Sequence, residues 1–400
     1  MKQTKKRFFV LLMFAALISS LADLHAHDKL KTGAERLDLL CPMIAGKQLA
    51  LVVNQTAVVG DAHTHLLDTL LARGMQVKLI MAPEHGFRGK ADAGEKIANG
   101  CDPRTGIPIL SLYGKQKKPS KEQLKGIDLV IFDIQDVGAR FYTYISTMHY
   151  IMEACSEANL PLIILDRPNP NDYVEGPVLQ PAQRSFVGMH PIPVLHGLTI
   201  GELAQMINGE KWISKPCDLT VIPLSNWKHG DPYSLPVPPS PNLPNDTAIR
   251  LYPSLCLFEA TSFSVGRGTP FPFQAVGYPD KNMGSFAFTP VSTVGSDKNP
   301  LQKNKQCYGI DYRNNTDIKG FDLQIFIHFY RLFASKEQFI TRPDFFDLLA
   351  GNNTLRAQII EGKSYEEIKR SWRNDLDKYL SIRKKYLLYD DNRCLLQNEK

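Results

Sequence analysis

Four short apolar runs organise the first half of the chain, and each ends abruptly in polar residues. LALVV runs into Asn54-Gln55-Thr56, VKLIMAP into Glu84-His85-Gly86, IDLVIF into Asp133-Ile134-Gln135-Asp136, and LPLIIL into Asp166-Arg167-Pro168-Asn169. Runs of this length, rich in β-branched residues and bounded by turn formers, predict strands over 49–53, 77–82, 128–134 and 161–165. Apolar positions at helical spacing predict helices near 62–73, closed by Gly74, and near 145–158. A helix over 199–208 and a strand over 219–223 continue the alternation. Strands alternating with helices predict an α/β fold, a parallel sheet covered on both faces. In such sheets ligands bind outside the carboxyl ends of the strands, where strand order reverses. The four loaded ends therefore predict one crevice.

The pattern changes at 234–246, SLPVPPSPNLPND, where five prolines exclude both a helix and a central strand. This segment reads as a junction between a Rossmann-like domain over 27–233 and a smaller α+β domain over 247–400. Beyond it come Gly- and Pro-rich loops at 264–284, a strand-like stretch at 318–326 and a long helix near 364–385. That helix carries Tyr365, Ile368, Trp372, Leu376 and Tyr379 on one face, a stripe that reads as core packing.

Composition adds little to this picture except at the amino terminus. At 43% hydrophobic and 22% charged, 400 residues describe an ordinary globular chain. Lys2, Lys5, Lys6 and Arg7 precede an apolar run from Phe8 to Leu21, and Leu24-His25-Ala26 offers a small-residue cleavage site. Residues 1–26 thus read as a signal peptide, which predicts export without stable membrane insertion after cleavage. Four cations of the +6 net charge belong to that segment, so the rest is mildly basic and nucleic-acid binding gains no support. The seven cysteines, at 41, 101, 155, 217, 256, 307 and 394, are widely spaced without a CxxC, and the odd number leaves at least one free thiol. Their pairing is not readable from spacing; Cys155, on a helical apolar face, reads as core.

Dinucleotide, P-loop, zincin and α/β-hydrolase signatures are all missing. His63 and His65 are metal-ligand types, but two apart on a predicted helix they point to different sides, so no metal site is expected. Glu84, after a strand and Pro83, is the sharpest candidate for general-acid duty, with the alternative of capping a turn or pairing with Arg88. Asp133 and Gln135 share one side of their strand, while Asp136 lies past its turn; either carboxylate, or His85, joins the candidate chemistry. Arg140 and Arg167 end separate strands and have the fork geometry for a ligand carboxylate, unless Asp136 and Asp166 already hold them. Tyr142 and Tyr144 suit the faces of a sugar ring. Glu259 and the Gly266-Arg267-Gly268-Thr269 loop are polar elements that either close over the crevice or form a plain loop.

Glu84-His85-Gly86-Phe87-Arg88-Gly89, Ser111-Leu112-Tyr113-Gly114, Phe132 through Tyr144, Leu165 through Pro170, Ser185-Phe186-Val187-Gly188, His196-Gly197 with Thr199-Ile200-Gly201-Glu202, Pro239-Ser240-Pro241-Asn242 and Gly266-Arg267-Gly268-Thr269 occur in this order. Together they resemble the NamZ-type exo-β-N-acetylmuramidases, bacterial glycoside hydrolases, over nearly all of the chain beyond the signal. The resemblance implies a Rossmann-like domain joined to a smaller one with the site between them. It implies release of N-acetylmuramic acid from the non-reducing ends of peptidoglycan-derived saccharides or muropeptides, without metal or organic cofactor, in the periplasm or outside the cell. It makes Glu84 the catalytic residue; Asn54, Asn169, His196, Glu202, Asn242, Glu259 and Arg267 complete the candidates for substrate contact. Many members carry SEGRGT where this chain has Val265 as the second residue. Two further readings are a non-catalytic muropeptide-binding protein of the periplasm and an amidase or esterase; the latter lacks any Ser-His or metal constellation.

Overall fold

The computed structural model describes residues 29–84, 86–87, 100–114 and 116–393. At its centre is a seven-stranded sheet of β1 (Gln48–Val53), β2 (Gln76–Ala82), β3 (Gly100–Cys101), β4 (Pro108–Ser111), β5 (Leu129–Asp133), β6 (Leu162–Leu165) and β7 (Leu219–Ile222). The spatial order is β7-β6-β5-β1-β2-β4-β3, parallel except where β3 meets β4. The chain builds outward from β1 to β4, returns to lay β5 on the other flank of β1, and builds outward again to β7. The reversal therefore falls between β1 and β5, which pair in register from Leu49↔Leu129 to Val53↔Asp133. Asn54 and Ile134 follow directly, at the point where a doubly wound sheet opens a crevice.

Side chains alternate across a strand, so each strand feeds two cores. Leu49, Leu51, Val53, Leu129, Ile131 and Ile163 pack with α1 (Leu37–Ile44) and α2 (Leu66–Ala72). Ala50, Val52, Val130, Phe132 and Ile164 pack with α3 (Tyr144–Ala158) and α4 (Ile200–Gly209). Burial on both faces is why these strands read as unbroken apolar runs. Helix α4 starts where the sequence says it should: Thr199 Oγ1 accepts from the Glu202 amide at 3.2 Å and the Glu202 carboxylate accepts from the Thr199 amide at 2.9 Å, a reciprocal cap.

The core on the α3 face runs without a break into the C-terminal half, where Phe258, Phe263, Phe326, Phe329, Phe339 and Phe346 belong to the same cluster. Phe326 meets Phe339 edge to face at 5.2 Å and 89°, the arrangement ring quadrupoles favour. Around these rings stand α5 (Asp246–Leu255), α6 (Gln324–Leu332), α7 (Pro343–Ala350), α8 (Thr354–Ile360), α9 (Tyr365–Ser371) and α10 (Arg373–Arg383). A three-stranded antiparallel sheet of β8 (Ala275–Tyr278), β9 (Phe286–Phe288) and β10 (Cys307–Asp311) has the order β8-β10-β9.

Three expectations are corrected here. The strand-like 318–326 leads instead into α6, because Ile325, Phe326, Phe329 and Tyr330 share a buried helical face. The helix over 364–385 is two helices meeting at Trp372, although Ile368, Trp372, Leu376 and Tyr379 are buried as one stripe. The helix near 62–73 loses its first turn to a hairpin, Val58–Val59 against Thr64–His65, with His63 in left-handed backbone at φ 48°. His65 instead caps α2: its Nδ1 accepts from the Leu67 amide at 3.2 Å and its Nε2 lies 2.9 Å from the Asn54 carbonyl oxygen. Residues 1–26 lie outside the described residues, among which no helix is long and apolar enough to cross a membrane. Cys41, Cys101, Cys155, Cys217, Cys256 and Cys307 are free thiols, and Cys155 is core.

Candidate active site

An open cleft of about 620 Å³ lies beyond the carboxyl end of β2 and the start of α3. Glu84 and Phe141 to Tyr144 line it from the N-terminal half; Tyr252, Glu259, Arg267 and Phe273 line it from the C-terminal half, and Ser240, Asn242 and Leu243 from the Pro-rich segment between them.

Glu84 stands two residues past β2 on a turn closed by the Gly86 amide donating to the Pro83 carbonyl at 3.1 Å, with Gly86 at φ 75°. The Tyr113 hydroxyl, from the loop after the neighbouring β4, donates to the Glu84 carboxylate. Burial, and then the Glu84 charge, push the Tyr113 phenol well above its ordinary value, and the same two causes raise Tyr144. Both phenols thus remain donors across the physiological range.

The Pro-rich segment is a wall of the cleft. Prolines have carbonyls but no N–H, and these acceptors are used: the hydroxyls of Tyr142 and Tyr144 donate to the Pro239 carbonyl at 3.0 and 3.2 Å. Gln55 Nε2, following β1, donates to the carbonyls of Pro238 and Pro239 at 3.1 Å each. Tyr142 meets Tyr144 edge to face at 4.9 Å, and Tyr252 meets Phe273 the same way at 5.0 Å. The cleft wall is therefore aromatic with its polar tips tied back.

Opposite stands an ion pair: Arg267 Nη2 is 2.7 Å from Glu259 Oε1, with about a fifth of each side chain exposed. The guanidinium also lies 5.0 Å over the Phe273 ring. The flanking Gly266 and Gly268 have φ 78° and 77°, and a β-carbon on Gly268 would sit 2.4 Å from the Val291 carbonyl oxygen. Only glycine fits a left-handed position with no room for a side chain, so the loop presents Arg267 in one way. Val265 is buried core, 2% exposed, and lines no part of the cleft. Asn242 is held by Ser296, whose hydroxyl donates to its Oδ1 at 2.8 Å.

The other described candidates lie outside that lining and are buried among partners of the fold. Arg140 is wholly buried and donates to the carbonyls of Pro177, Ile192 and Leu349 at 2.7, 2.8 and 2.9 Å. Arg167 is 2% exposed and grips Asp133 with Nε and Nη2 at 2.5 and 3.0 Å. Neither is available as a carboxylate clamp, because a buried guanidinium must be satisfied by the protein itself; the same pairing removes Asp133. Asp136 accepts from the Gly138 amide at 2.7 Å and lies 3.7 Å from His196 Nε2, outside the cleft lining. Gln135 Nε2 donates to the Asp136 and Pro168 carbonyls at 2.8 and 2.7 Å, and Asn54 Oδ1 accepts from the Thr56 amide at 2.9 Å. Asn169 Nδ2 donates to the Leu198 carbonyl at 3.0 Å. Glu202 accepts at 3.0 Å from His229, which also binds Asp172 at 3.0 Å. His85 lies outside the described residues.

Of the sequence candidates the cleft thus gathers Glu84, Tyr142, Tyr144, Asn242, Glu259 and Arg267. It adds Ser240 and, behind Glu84, Tyr113, which stand in the quoted motifs but were not named as site candidates, and Tyr252 and Phe273, which the sequence reading did not single out. Tyr113 also closes an apolar run, ILSLY, that was not read as a strand. Among the described residues no group of three or more His, Cys, Asp or Glu side chains converges as a metal site.

The chain is similar to known proteins over most of its length. The family model described as exo-β-N-acetylmuramidase NamZ, N-terminal, matches residues 49–247, and its C-terminal counterpart matches residues 250–389. The peptidoglycan β-N-acetylmuramidase NamZ of Bacillus subtilis is 39% identical over 389 residues, covering 90% of this chain and 92% of that protein. Among solved structures, a DUF1343 family protein of Bacteroides fragilis is 47% identical with a TM-score of 0.84, over 91% of this chain and 100% of the other. A second B. fragilis member is 30% identical with a TM-score of 0.75, over 90% and 99%.

Proposed function

The chain belongs to the NamZ family of exo-β-N-acetylmuramidases, and from that premise we propose that it is a glycosidase releasing N-acetylmuramic acid from the non-reducing ends of peptidoglycan fragments. The observation that carries this reading is the single cleft lined by Glu84 from one half of the chain and by the Glu259–Arg267 pair from the other. Glycoside hydrolysis needs a proton at the leaving oxygen and a second carboxylate, or a group of the substrate, at the opposite face of the sugar. Glu84 is the general acid, kept in one orientation by the Tyr113 hydroxyl. Glu259 is the second carboxylate facing the cleft, and takes the role expected of Asp133 or Asp136.

Arg267 recognises the lactyl carboxylate that distinguishes N-acetylmuramic acid from N-acetylglucosamine. A guanidinium matches a carboxylate through paired N–H donors, and among the described residues Arg267 is the arginine that borders the cleft. Tyr142, Tyr144 and Tyr252 supply apolar edges for the sugar ring. No step in this scheme calls on a metal or an organic cofactor. We also propose that the chain is exported and cleaved near Ala26; intact mass of the protein from the cell envelope fraction tests this, and an uncleaved cytoplasmic form would overturn it.

The activity is tested with a chromogenic N-acetylmuramide beside the matching N-acetylglucosaminide. Turnover of the first alone is expected, abolished in Glu84→Gln. Equal turnover of both, or a wild-type rate in Glu84→Gln, would overturn the assignment.

A further inference from the structure

A second cavity, about 650 Å³ and open to solvent, lies beside α3 and is lined by Lys117, Tyr150, Glu153, Arg184, Phe186 and Met189 among others. Its charges are unequal. Glu153 is engaged at 3.3 Å by Lys118, and at the same distance by the buried His149. Lys118 also holds Glu157 at 2.9 Å. Lys117 instead sits 4.0 Å over the Phe186 ring, which stacks on Tyr150 at 6.3 Å and 17°. Arg184 is exposed and forms no ion pair among the described residues. Two cations without carboxylate partners among the described residues thus border an aromatic wall. That wall is built, because Ser146 in α3 donates to the Phe186 carbonyl at 2.7 Å and Ser185 and Gly188 exchange backbone bonds at 2.9 and 3.1 Å.

The cavity is tied to the cleft by one short loop. Tyr113 donates to Glu84, and Lys117 comes four residues later. Four residues span at most about 14 Å, so Lys117 cannot lie far from the reacting end of the cleft. An exo-acting glycosidase holds one sugar at its acid and lets the rest of the chain leave the cleft. In the polymer of the proposed substrate every second sugar carries a lactyl group, so negative charge recurs along the departing chain.

We propose that Lys117 and Arg184 form a distal subsite for a carboxylate carried by the glycan chain beyond the scissile bond. The proposal rests on the glycosidase reading above. The carboxylate has two chemical sources, the free lactyl group of a second muramic acid or the acidic end of a peptide joined to it. Either would pair with the two cations while the chain lies along Tyr150 and Met189, as charge-assisted contacts on a half-apolar wall allow.

The test compares a disaccharide, N-acetylmuramyl-N-acetylglucosamine, with its peptide-free tetrasaccharide and with a tetrasaccharide bearing an alanyl-glutamyl peptide. The wild type should show a KM about tenfold lower for a tetrasaccharide, the worth of one good charged contact. Lys117→Ala with Arg184→Ala should raise that KM to the disaccharide value, leaving kcat and the disaccharide KM unchanged. An advantage in the peptide-free tetrasaccharide alone assigns the lactyl source, because the peptide consumes that carboxyl as an amide; an advantage in the peptide-bearing one alone assigns the peptide, and an advantage in both means that the cations accept either carboxylate. Equal KM for all three in the wild type, or equal loss on all three in the variant, overturns the subsite. Calorimetric binding of the same ligands to Glu84→Gln separates the two claims: length-dependent affinity that needs Lys117 and Arg184 would support the subsite even if no substrate were cleaved.

Discussion

Two dense polar clusters stand beyond the same sheet, and they differ in who satisfies them. In the cleft, Glu84, Glu259 and Arg267 border open volume. Near the ends of β6 and β7, Asp172, Glu202, His229, Arg383, Asp391 and Arg393 satisfy one another, and Asp166 is held beside them by Thr199 and Tyr389. His229 bridges Asp172 and Glu202 at 3.0 Å each, Arg383 holds Asp391 at 2.8 Å and donates to the Gly197 carbonyl, and the Tyr389 hydroxyl reaches Asp166. The closed cluster clasps the C-terminal strand of chain onto the sheet domain: the Leu388 amide donates to Glu202 and the His229 amide to the Asp390 carbonyl. The same kinds of residues thus make a site where bonding capacity faces a cleft, and a clasp where it is used up.

Four perturbations sharpen this contrast. Glu84→Gln should cost the largest factor, about a thousandfold in kcat on a chromogenic muramide, with the thermal midpoint unchanged. His229→Ala should do the reverse. It leaves Asp172 and Glu202 buried without their shared partner, at a cost of about 3–5 kcal/mol in chemical denaturation, while kcat of the folded fraction stays near wild type. If His229→Ala lowered kcat with stability intact, the division between site and clasp would be wrong.

The third is a pH effect confined to the clasp. Burial alone would lower the His229 pKa, but its hydrogen bonds to Asp172 and Glu202 outweigh that and hold it up to about 9 against an ordinary 6.5. A raised folded pKa means that the folded state keeps the proton. Its stabilisation, about 3 kcal/mol at most, is complete below pH 6.5 and lost as pH rises through 9. Unfolding midpoints measured across that window should fall in the wild type and flatten in His229→Ala. Smallest is Arg267→Ala, expected to raise KM for the muramide about tenfold. It should also erase most of the preference over the glucosaminide; a preserved preference would place lactyl recognition elsewhere.

The strands, the parallel sheet and the loaded strand ends were legible because hydrophobic periodicity and turn residues are local, and burial on both faces leaves an unbroken apolar run. Glu84 was legible for the same reason, as a carboxylate directly past a strand. Arg140 and Arg167 looked equally functional by that criterion, yet they pack into the fold. What separates them from Arg267 is partner saturation, and their partners, Leu349 for Arg140 and Asp133 for Arg167, are far away in sequence. The Pro-rich stretch was readable as a break in regular structure; its use of carbonyl acceptors to hold Tyr142 and Tyr144 was not.

By itself, then, the amino-acid order determined which segments become strands and helices, where chemistry collects, and, through motifs kept in register along the chain, the family. The tertiary structure decided which polar groups remain open to a ligand. That depends on the summed desolvation and hydrogen bonding of neighbours brought together from distant positions, and no local pattern carries it.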